Sequence, residues 1–481
     1  MKQVSIKKNF AYSLAYQILI LVTPFITTPY ISRVLGADGV GIYSYTNSII
    51  AYFTLFAALG TVSYGTREIA QHRDDKAQLS KLFWEIEIMT IISSLVCLAA
   101  WILFICVSKE YRIYYIALTP LILGTHFDIS WFYSGCEQMK YNVIRNSAVK
   151  IIGIIALFVF IRTKDDLIWY VVINSLVQML GNLTMWTYLP KFLEKIDFRT
   201  ITLKHHFKET LVYFVPTIAT SIYTVLDKTL IGVITKDEYQ NGYYEQATKI
   251  VNIIKSLVFT SVNSVMGARI SYLFASDKID EIKEKISLSL DYIMFLGFGC
   301  VFGISAVANV FIPIFCGKGY EPVVNLLYVL SPIVLIIGIS NSLGSLYYTP
   351  SGQRAKSAKI IVLGSVVNLI LNLIFIPKLG GTGAVISSLI AETLISVLYL
   401  RFSHGFMTVG MILQKSWKRL IAGAIMLIAV MLINTNIHIM PILQLILEIA
   451  AGVLIYIGLL AMMKDSMIKW GLEFIRGKVK K

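Results

Sequence analysis

The apolar stretch Leu211-Val-Tyr-Phe-Val-Pro-Thr-Ile218 begins a run that is long enough to cross a bilayer, and this run carries two opposite charges before it ends. Asp227 and Lys228 are adjacent within it. Ionisable residues are rare at that depth, because hydrocarbon does not solvate a charge, and those that occur usually serve a function. The stretch therefore predicts a membrane-spanning helix and a candidate functional position.

The segment that follows resembles a segment near the start of the chain. It begins at Gly242 and has the sequence GYYEQATKI, whereas the earlier segment begins at Gly41 and has the sequence GIYSYTNSI. Basic residues also flank the fifth and the eleventh predicted helices with the same spacing, as Arg145 with Lys150 and Arg354 with Lys359. These similarities predict two parallel six-helix repeats and a final helix pair, with a transport site near the midplane between the repeats. The predicted domains are an N-terminal bundle (1–190), a cytoplasmic linker (191–208), a second bundle (209–405) and a helix pair with a basic cytoplasmic tail (406–481).

The composition places the chain among membrane proteins. Of its 481 residues, 56% are hydrophobic and only 15% are charged, and the mean hydropathy is +0.71. Soluble proteins have about a quarter of their residues charged. The chain is therefore predicted to be an all-α, polytopic membrane protein. A net charge of +15 would suggest nucleic-acid binding in a soluble protein, but membrane topology explains most of it here.

Hydrophobic runs predict about fourteen membrane-spanning helices, at about 20 residues each. Their predicted centres lie near residues 21, 52, 93, 123, 153, 178, 220, 258, 300, 334, 366, 391, 425 and 451. With the N-terminus inside, roughly three quarters of the 43 Lys and Arg residues fall on the cytoplasmic side. This asymmetry predicts that both termini are cytoplasmic.

Motifs of soluble enzymes are absent from the sequence. There is no Walker loop, no HExxH, no CxxC and no extramembrane loop long enough for a soluble domain. The five cysteines lie mostly in apolar runs without metal-ligand spacing, which predicts small apolar packing residues. We therefore expect neither an enzyme nor a metal site.

Charges within the predicted helices are the better functional candidates. Lys255 lies near the middle of the eighth helix, where it either forms a structural ion pair or helps to stabilise an anionic ligand. The same two alternatives hold for Asp227 and Lys228. Asp128 is either a packing residue or a functional one, and Glu392 is either a helix-to-helix hydrogen-bond donor or a proton-coupling group.

The stretch DISWFYSGCE at residues 128–137, followed by Tyr141 and Arg145, resembles the signature of Wzx-type polysaccharide flippases. These proteins transport O-antigen or capsule repeat units and belong to the multidrug/oligosaccharidyl-lipid/polysaccharide exporter superfamily. The stretches YGTREIA at 64–70 and NLIFIPKLG at 372–380 are also similar to the family. The one departure is Ser134, where the family usually has glutamine. The motif residues carried over are Asp128, Trp131, Gly135, Glu137 and Arg145.

The resemblance implies fourteen helices in two bundles around a central cavity. It also implies that the substrate is an undecaprenyl-pyrophosphate-linked oligosaccharide, moved from the inner to the outer leaflet of a bacterial cytoplasmic membrane by alternating access. Membrane lipid, a polysaccharide polymerase and a chain-length regulator are the implied partners. No cofactor is expected, although transport could be coupled to H⁺ or Na⁺.

A pyrophosphate needs cations to enter a low-dielectric cavity, and arginine binds phosphate through two parallel hydrogen bonds. We therefore predict that Lys255 and Lys228 bind substrate within the cavity. Three arginines at its rims are the other predicted substrate-binding residues: Arg33, Arg67 and Arg269. The predicted coupling or switch residues are Asp227, Asp128 and Glu392.

Three alternatives stay open on the sequence. A drug/cation antiporter of the same superfamily would have acidic residues rather than lysines in its cavity. A lipid II flippase is a closer alternative, which the sequence separates only weakly. A membrane polysaccharide polymerase is a third, although it would normally have a large extramembrane loop.

Overall fold

A computed structural model of the chain describes residues 6–437 and 439–475, and helices dominate it. No β-strand occurs in those two ranges, so the all-α class predicted from composition is confirmed. All fourteen predicted helix centres lie within helices. Within the described ranges, ten helical segments are long and apolar enough to cross a membrane, and the chain is a multi-pass membrane protein. The total of fourteen spans stays a prediction, and the predicted basic tail at 476–481 lies outside the described residues.

The chain divides into two compact units. The first extends to Val233 and includes Asp237–Gly242, and the second consists of Ile234–Lys236 and Tyr243–Lys481. This division falls later in the chain than the predicted linker at 191–208, because the helix that follows the linker packs with the first unit as far as Val233. The predicted domain organisation as two six-helix bundles and a helix pair stays a prediction.

The first unit begins with a long, kinked helix. The helices that lie in this unit, or start in it, are α1 (Ile6–Ala58), α2 (Thr61–His72), α3 (Lys76–Val107), α4 (Arg112–Leu118), α5 (Pro120–His126), α6 (Ser130–Gly135), α7 (Met139–Phe160), α8 (Leu167–Thr184), α9 (Leu203–Thr235) and α10 (Glu238–Ala275). The first two predicted helices are the two arms of α1, which meet at Gly36, where φ is +74° and ψ is 175°. Only glycine adopts that backbone conformation readily, so the kink is fixed by the sequence.

The second unit is built from the rest of α10 and eight further helices. These are α11 (Ile279–Phe315), α12 (Pro322–Leu330), α13 (Ile333–Leu343), α14 (Arg354–Leu379), α15 (Gly381–Arg401), α16 (Val409–Asn436), α17 (Pro441–Met462) and α18 (Ser466–Ile475). Proline stands at the first position of α12 and of α17, where its missing N–H costs no helical hydrogen bond. The Thr408 side chain caps α16 by accepting from the Met411 amide at 3.2 Å.

Aromatic side chains fill the interior of the first unit. Trp101 on α3 is fully buried and packs against Phe53 and Tyr115, with ring centroids 4.9 and 5.5 Å apart. Nearer the other end of α3, Phe83 is surrounded by Trp131 and Phe132 at 5.6 and 5.2 Å. Large apolar side chains such as those of α17 remain exposed on the outside, as expected for helix faces that contact lipid.

Candidate functional site

The residues predicted to bind substrate fall into both compact units. Arg33, Arg67 and Lys228 lie in the first unit, and Lys255 and Arg269 lie in the second. The structure defines the surroundings that each of these side chains has within its own unit.

Lys255 is half-buried on α10. The carboxylate of Glu392, which is buried on α15 in the same unit, acts on it electrostatically. The two residues that the sequence singled out separately are therefore electrostatically coupled. This arrangement suits either predicted alternative, a structural pair or a cation that an anionic ligand shares with Glu392.

Asp227 and Lys228 lie on α9 beside a hydroxyl cluster that joins α9 to α1. Asp227 is buried and Lys228 is half-buried. The next residue, Thr229, forms hydrogen bonds to Ser48 at 2.9 Å and to Tyr52 at 3.0 Å. These contacts fix the orientation of the α9 segment that carries the two charges.

The three predicted rim arginines are all exposed, which fits a rim position. Arg67 donates to the Tyr213 hydroxyl at 2.5 Å. Arg269 lies 3.6 Å from Glu281 and its guanidinium is 5.5 Å from the Tyr272 ring centre. The predicted substrate-binding roles of these arginines stay predictions.

The motif residues form a packing junction with α2. Trp131 is buried against Gly65, where an added Cβ would come within 2.5 Å of the indole ring. Gly135 faces Ile69 in the same way, since its Cβ would come within 2.7 Å of the Ile69 Cβ. The stretches YGTREIA and DISWFYSGCE, which are about 60 residues apart in the sequence, therefore pack directly against each other.

Polar contacts close this junction at both ends. Asp128 accepts a hydrogen bond from the Ser130 amide at 3.0 Å and so orders the turn before α6. Glu137 has a positive φ of +57° and forms an ion pair with Arg73 at 2.5 Å. In the sequence, Arg73 is one of the Lys and Arg residues predicted on the cytoplasmic side, and nothing there indicates its ion pair. The coupling role predicted for Asp128 stays a prediction beside this structural one.

A buried hydrogen-bonded chain that the sequence analysis missed anchors the start of α9 to the first unit. The His206 ring lies between Tyr64 and Glu85, with Nδ1 2.6 Å from the Tyr64 hydroxyl and Nε2 2.9 Å from the Glu85 carboxylate. Glu85 also accepts from the Thr202 amide at 2.8 Å. The available signal was a glutamate inside an apolar helix, but nothing in the sequence identifies a partner more than 100 residues away.

A cavity of about 360 Å³ lies between α1, α7 and α8. Arg145 and Lys150 line it, although the sequence analysis placed them at the ends of the fifth helix. That placement is wrong, because α7 runs from Met139 to Phe160 and Lys150 is in the middle of it. No glycine or proline interrupts residues 139–150, so the helix continues through both basic residues.

Comparison with known proteins gives a match along most of the chain. The family model described as "Polysaccharide biosynthesis protein" matches residues 6–274. A protein of Escherichia coli (strain K12) named "Putative O-antigen transporter" is 22% identical over 405 residues, which are 83% of this chain and 97% of that protein. A protein of Haloferax volcanii named "Probable low-salt glycan biosynthesis flippase Agl15" is 23% identical over 49% of each chain.

Solved structures share the fold. The structure of the lipid II flippase MurJ in an inward closed conformation matches with a TM-score of 0.75 and 18% identity, over 95% of this chain and 98% of that one. An inward-facing multidrug resistance transporter of the MATE family and the MOP superfamily matches with a TM-score of 0.57 and 13% identity, over 89% and 96%. At these identities the likeness establishes the fold alone.

Proposed function

Because the chain belongs to the polysaccharide biosynthesis protein family, we propose that it is a flippase that moves lipid-linked oligosaccharide repeat units across a membrane. The observation that carries this proposal is the alignment with the Escherichia coli protein named "Putative O-antigen transporter" along 97% of that protein's length. The names of both reported relatives denote a transporter or a flippase, in agreement with the prediction that the chain is not an enzyme.

The substrate is an oligosaccharide linked to undecaprenyl pyrophosphate, which the protein carries from the inner to the outer leaflet of a bacterial cytoplasmic membrane by alternating access. The pyrophosphate is the part that most needs the protein, because a dianionic group does not cross hydrocarbon unaided. Lys255 and Lys228 supply compensating charge within spanning helices, while Arg33, Arg67 and Arg269 receive or release the headgroup at the membrane surfaces.

Energy coupling is assigned to the acidic residues near these cations. Glu392 acts electrostatically on Lys255, so gain of H⁺ or Na⁺ at Glu392 would increase the net positive charge available to a pyrophosphate. Asp227, adjacent to Lys228, would act in the same way, and Asp128 is the third candidate. The bias of Lys and Arg towards one side of the membrane supports cytoplasmic termini. A polysaccharide polymerase and a chain-length regulator are the proposed protein partners.

Two other functions share this fold. A drug/cation antiporter is favoured by the MATE-like architecture, and a lipid II flippase by the likeness to MurJ, but both likenesses concern the fold alone. The family match concerns polysaccharide biosynthesis and covers the N-terminal part of the chain, residues 6–274. It therefore favours a polysaccharide precursor as the substrate.

The test is to locate lipid-linked repeat units in cells that lack the protein, using labelling in right-side-out and inside-out vesicles. We expect complete single units to accumulate on the cytoplasmic face and surface polysaccharide to be lost. Normal appearance of single units on the outer face would overturn the proposal. Restored growth of a strain depleted of its lipid II flippase would instead identify lipid II as a substrate.

Variants of Lys255 test the binding role in the same cells. Lys255→Ala should abolish export at unchanged protein level, whereas Lys255→Arg should retain part of it. Lys249→Ala is the matched control, because Lys249 is on the same helix and pairs with Glu245 at 3.4 Å instead of Glu392. Normal export by Lys255→Ala would remove Lys255 from the site.

A further inference from the structure

The cavity between α1, α7 and α8 has the composition of a ligand site. Its volume of about 360 Å³ falls in the usual range for small-ligand pockets, roughly 300–1,000 Å³. All residues that line it belong to the first unit. Polar groups recur along each wall: Thr23 and Thr27 on α1, Asn146 and Lys150 on α7, and Asn174, Gln178 and Asn182 on α8.

The spacing of these polar residues gives the cavity a continuous polar face. Successive polar residues on each helix are four positions apart, so they lie above one another on one side. A polar stripe of that kind is costly inside a membrane unless it contacts water or a polar ligand. The neighbouring residues Ile151, Ile152 and Ile155 are exposed on the outside of α7, so the stripe faces inward.

The Arg145 side chain lines this cavity, and the groups that accept hydrogen bonds from its charged guanidinium are all neutral. Its guanidinium donates to the Gly181 carbonyl at 2.6 Å, to the Asn182 side-chain oxygen at 3.0 Å and to the side chain of Asn146. Its Nε is buried and has no acceptor. Asp128 acts on Arg145 electrostatically, but within the described ranges no carboxylate lies within 4.0 Å of it.

Lys150 is the second cation on the cavity wall. It is half-buried at the middle of α7, one turn beyond Asn146. Among the residues whose side chains the structure describes, none forms a hydrogen bond or an ion pair with its ammonium group. An ammonium at that depth is expected to have an anionic counterpart, because low dielectric strengthens the attraction and removes competing water.

Both cations of the cavity have N–H donors that no acceptor within the described residues uses. Lys150 offers three donors and Arg145 offers its Nε–H, whereas the hydroxyls of Thr23 and Thr27 already donate to backbone carbonyls on α1. A metal cation or an amine would meet two positive charges here. An anionic oxygen group would instead satisfy the unused donors and compensate both charges.

We propose that this cavity binds an anionic oxygen group, a phosphate or a carboxylate, between Lys150 and Arg145 in the first unit. Two sources carry that chemistry in the substrate class given above: the pyrophosphate linkage and an acidic sugar of the glycan. The identification of the substrate as the source of this group rests on the proposed function. The cavity, its two cations and the anionic chemistry of its ligand are independent of that function.

The test uses the purified full-length protein in nanodiscs of zwitterionic lipid, titrated by calorimetry with inorganic pyrophosphate and with glucuronate. We expect at least one probe to bind, and the probe that binds identifies the source. Lys150→Gln should weaken its binding tenfold or more. Lys359→Gln should leave it unchanged, because Lys359 has the equivalent sequence position in the second half but is exposed.

Two further variants guard against misfolding. Lys150→Arg preserves the charge and should bind within a few-fold of the wild type. Gln178→Met keeps the side-chain length and removes one amide, and it should weaken binding severalfold at an unchanged melting temperature. No binding of either probe, or an equal loss in Lys150→Gln and Lys359→Gln, would overturn the proposal.

The result is independent of transport, since binding is measured on purified protein. If the purified protein binds pyrophosphate or glucuronate, but cells that lack it still show repeat units on the outer face, the flippase function is refuted and the binding site is retained. If neither probe binds, but cells that lack the protein accumulate repeat units on the cytoplasmic face, the binding site is refuted and the flippase function is retained.

Discussion

Gly41 and Gly242 are each in close contact with the backbone of the segment that contains the other glycine, so neither position has room for a side chain. A Cβ on Gly41 would overlap the carbonyl of Glu238, and a Cβ on Gly242 would overlap the carbonyl of Ala37. These are the two glycines that begin the similar segments GIYSYTNSI and GYYEQATKI. The internal repeat in the sequence is therefore also a crossing of two equivalent turns in the first unit.

Replacing either glycine with alanine tests this crossing. Gly41→Ala and Gly242→Ala should each destabilise the protein by about 1–3 kcal/mol, because a backbone carbonyl, unlike a flexible side chain, cannot move aside. Gly458→Ala is the control, since a Cβ there meets nothing within 4 Å near the end of α17. Thermal melting of the purified variants is the measurement. Equal melting temperatures for all three would contradict the close crossing.

Sequence patterns predicted helices much better than they predicted side-chain partners. Every predicted helix centre lies in a helix because about 20 apolar residues in a row have few alternatives to spanning a membrane. The kink at Gly36 and the break before Pro120 follow from local backbone chemistry, namely the positive φ that glycine allows and the N–H that proline lacks. The repeated glycines indicated two equivalent segments, but not that these segments touch.

The candidate sites show why the remainder was missed. Arg145 and Lys150 were assigned to helix ends because charges usually flank spans. The interior position of Arg145 is tolerable because it donates to neutral acceptors on α8, more than 30 residues away. Trp131 and Gly65 both lie in stretches that resemble the family, but only the tertiary packing shows that they are partners. Long-range pairs of this kind leave no periodic signal in one sequence.

The Trp131 junction should contribute strongly to stability. Trp131→Ala removes a fully buried indole between Gly65 and Phe83 and should cost about 3–5 kcal/mol. Arg73→Gln breaks only a partly exposed ion pair at the same junction and should cost about 1 kcal/mol or less. Melting temperatures and expression levels compare the two. A larger effect from Arg73→Gln would mean that charge, and not packing, holds α6 on α2.

The chain from Glu85 through His206 to Tyr64 should anchor the start of α9. Glu85→Ala leaves the Thr202 amide and the His206 ring without their acceptor, at an expected cost of about 3 kcal/mol. Tyr64→Phe removes one hydrogen bond and keeps the ring packing, so it should cost about 1 kcal/mol. Limited proteolysis between residues 190 and 205 is the measurement, with Lys208→Ala, on the exposed face of α9, as control. Unchanged cleavage in Glu85→Ala would exclude an anchoring role.

A buried ion cluster in the second unit gives the last prediction. Arg419 on α16 is fully buried and lies 2.6 Å from Asp291 on α11 and 2.9 Å from Asp465 after α17. Lys415 adds a second cation, 3.3 Å from Asp291, so two positive and two negative groups balance. Because removing one member leaves an uncompensated charge, Arg419→Met should destabilise the unit by about 3–5 kcal/mol.

Arg419→Lys distinguishes geometry from charge in this cluster. The guanidinium contacts Asp465 through both Nε and Nη2 and donates through Nη1 to the Asp291 backbone carbonyl at 2.8 Å. An ammonium keeps the charge but cannot reproduce that fork, so Arg419→Lys should melt between the wild type and Arg419→Met. The exposed Arg401 at the end of α15 provides the control Arg401→Met, with little expected effect. If Arg419→Lys melted with the wild type, net charge alone would hold α11, α16 and the α17–α18 turn together.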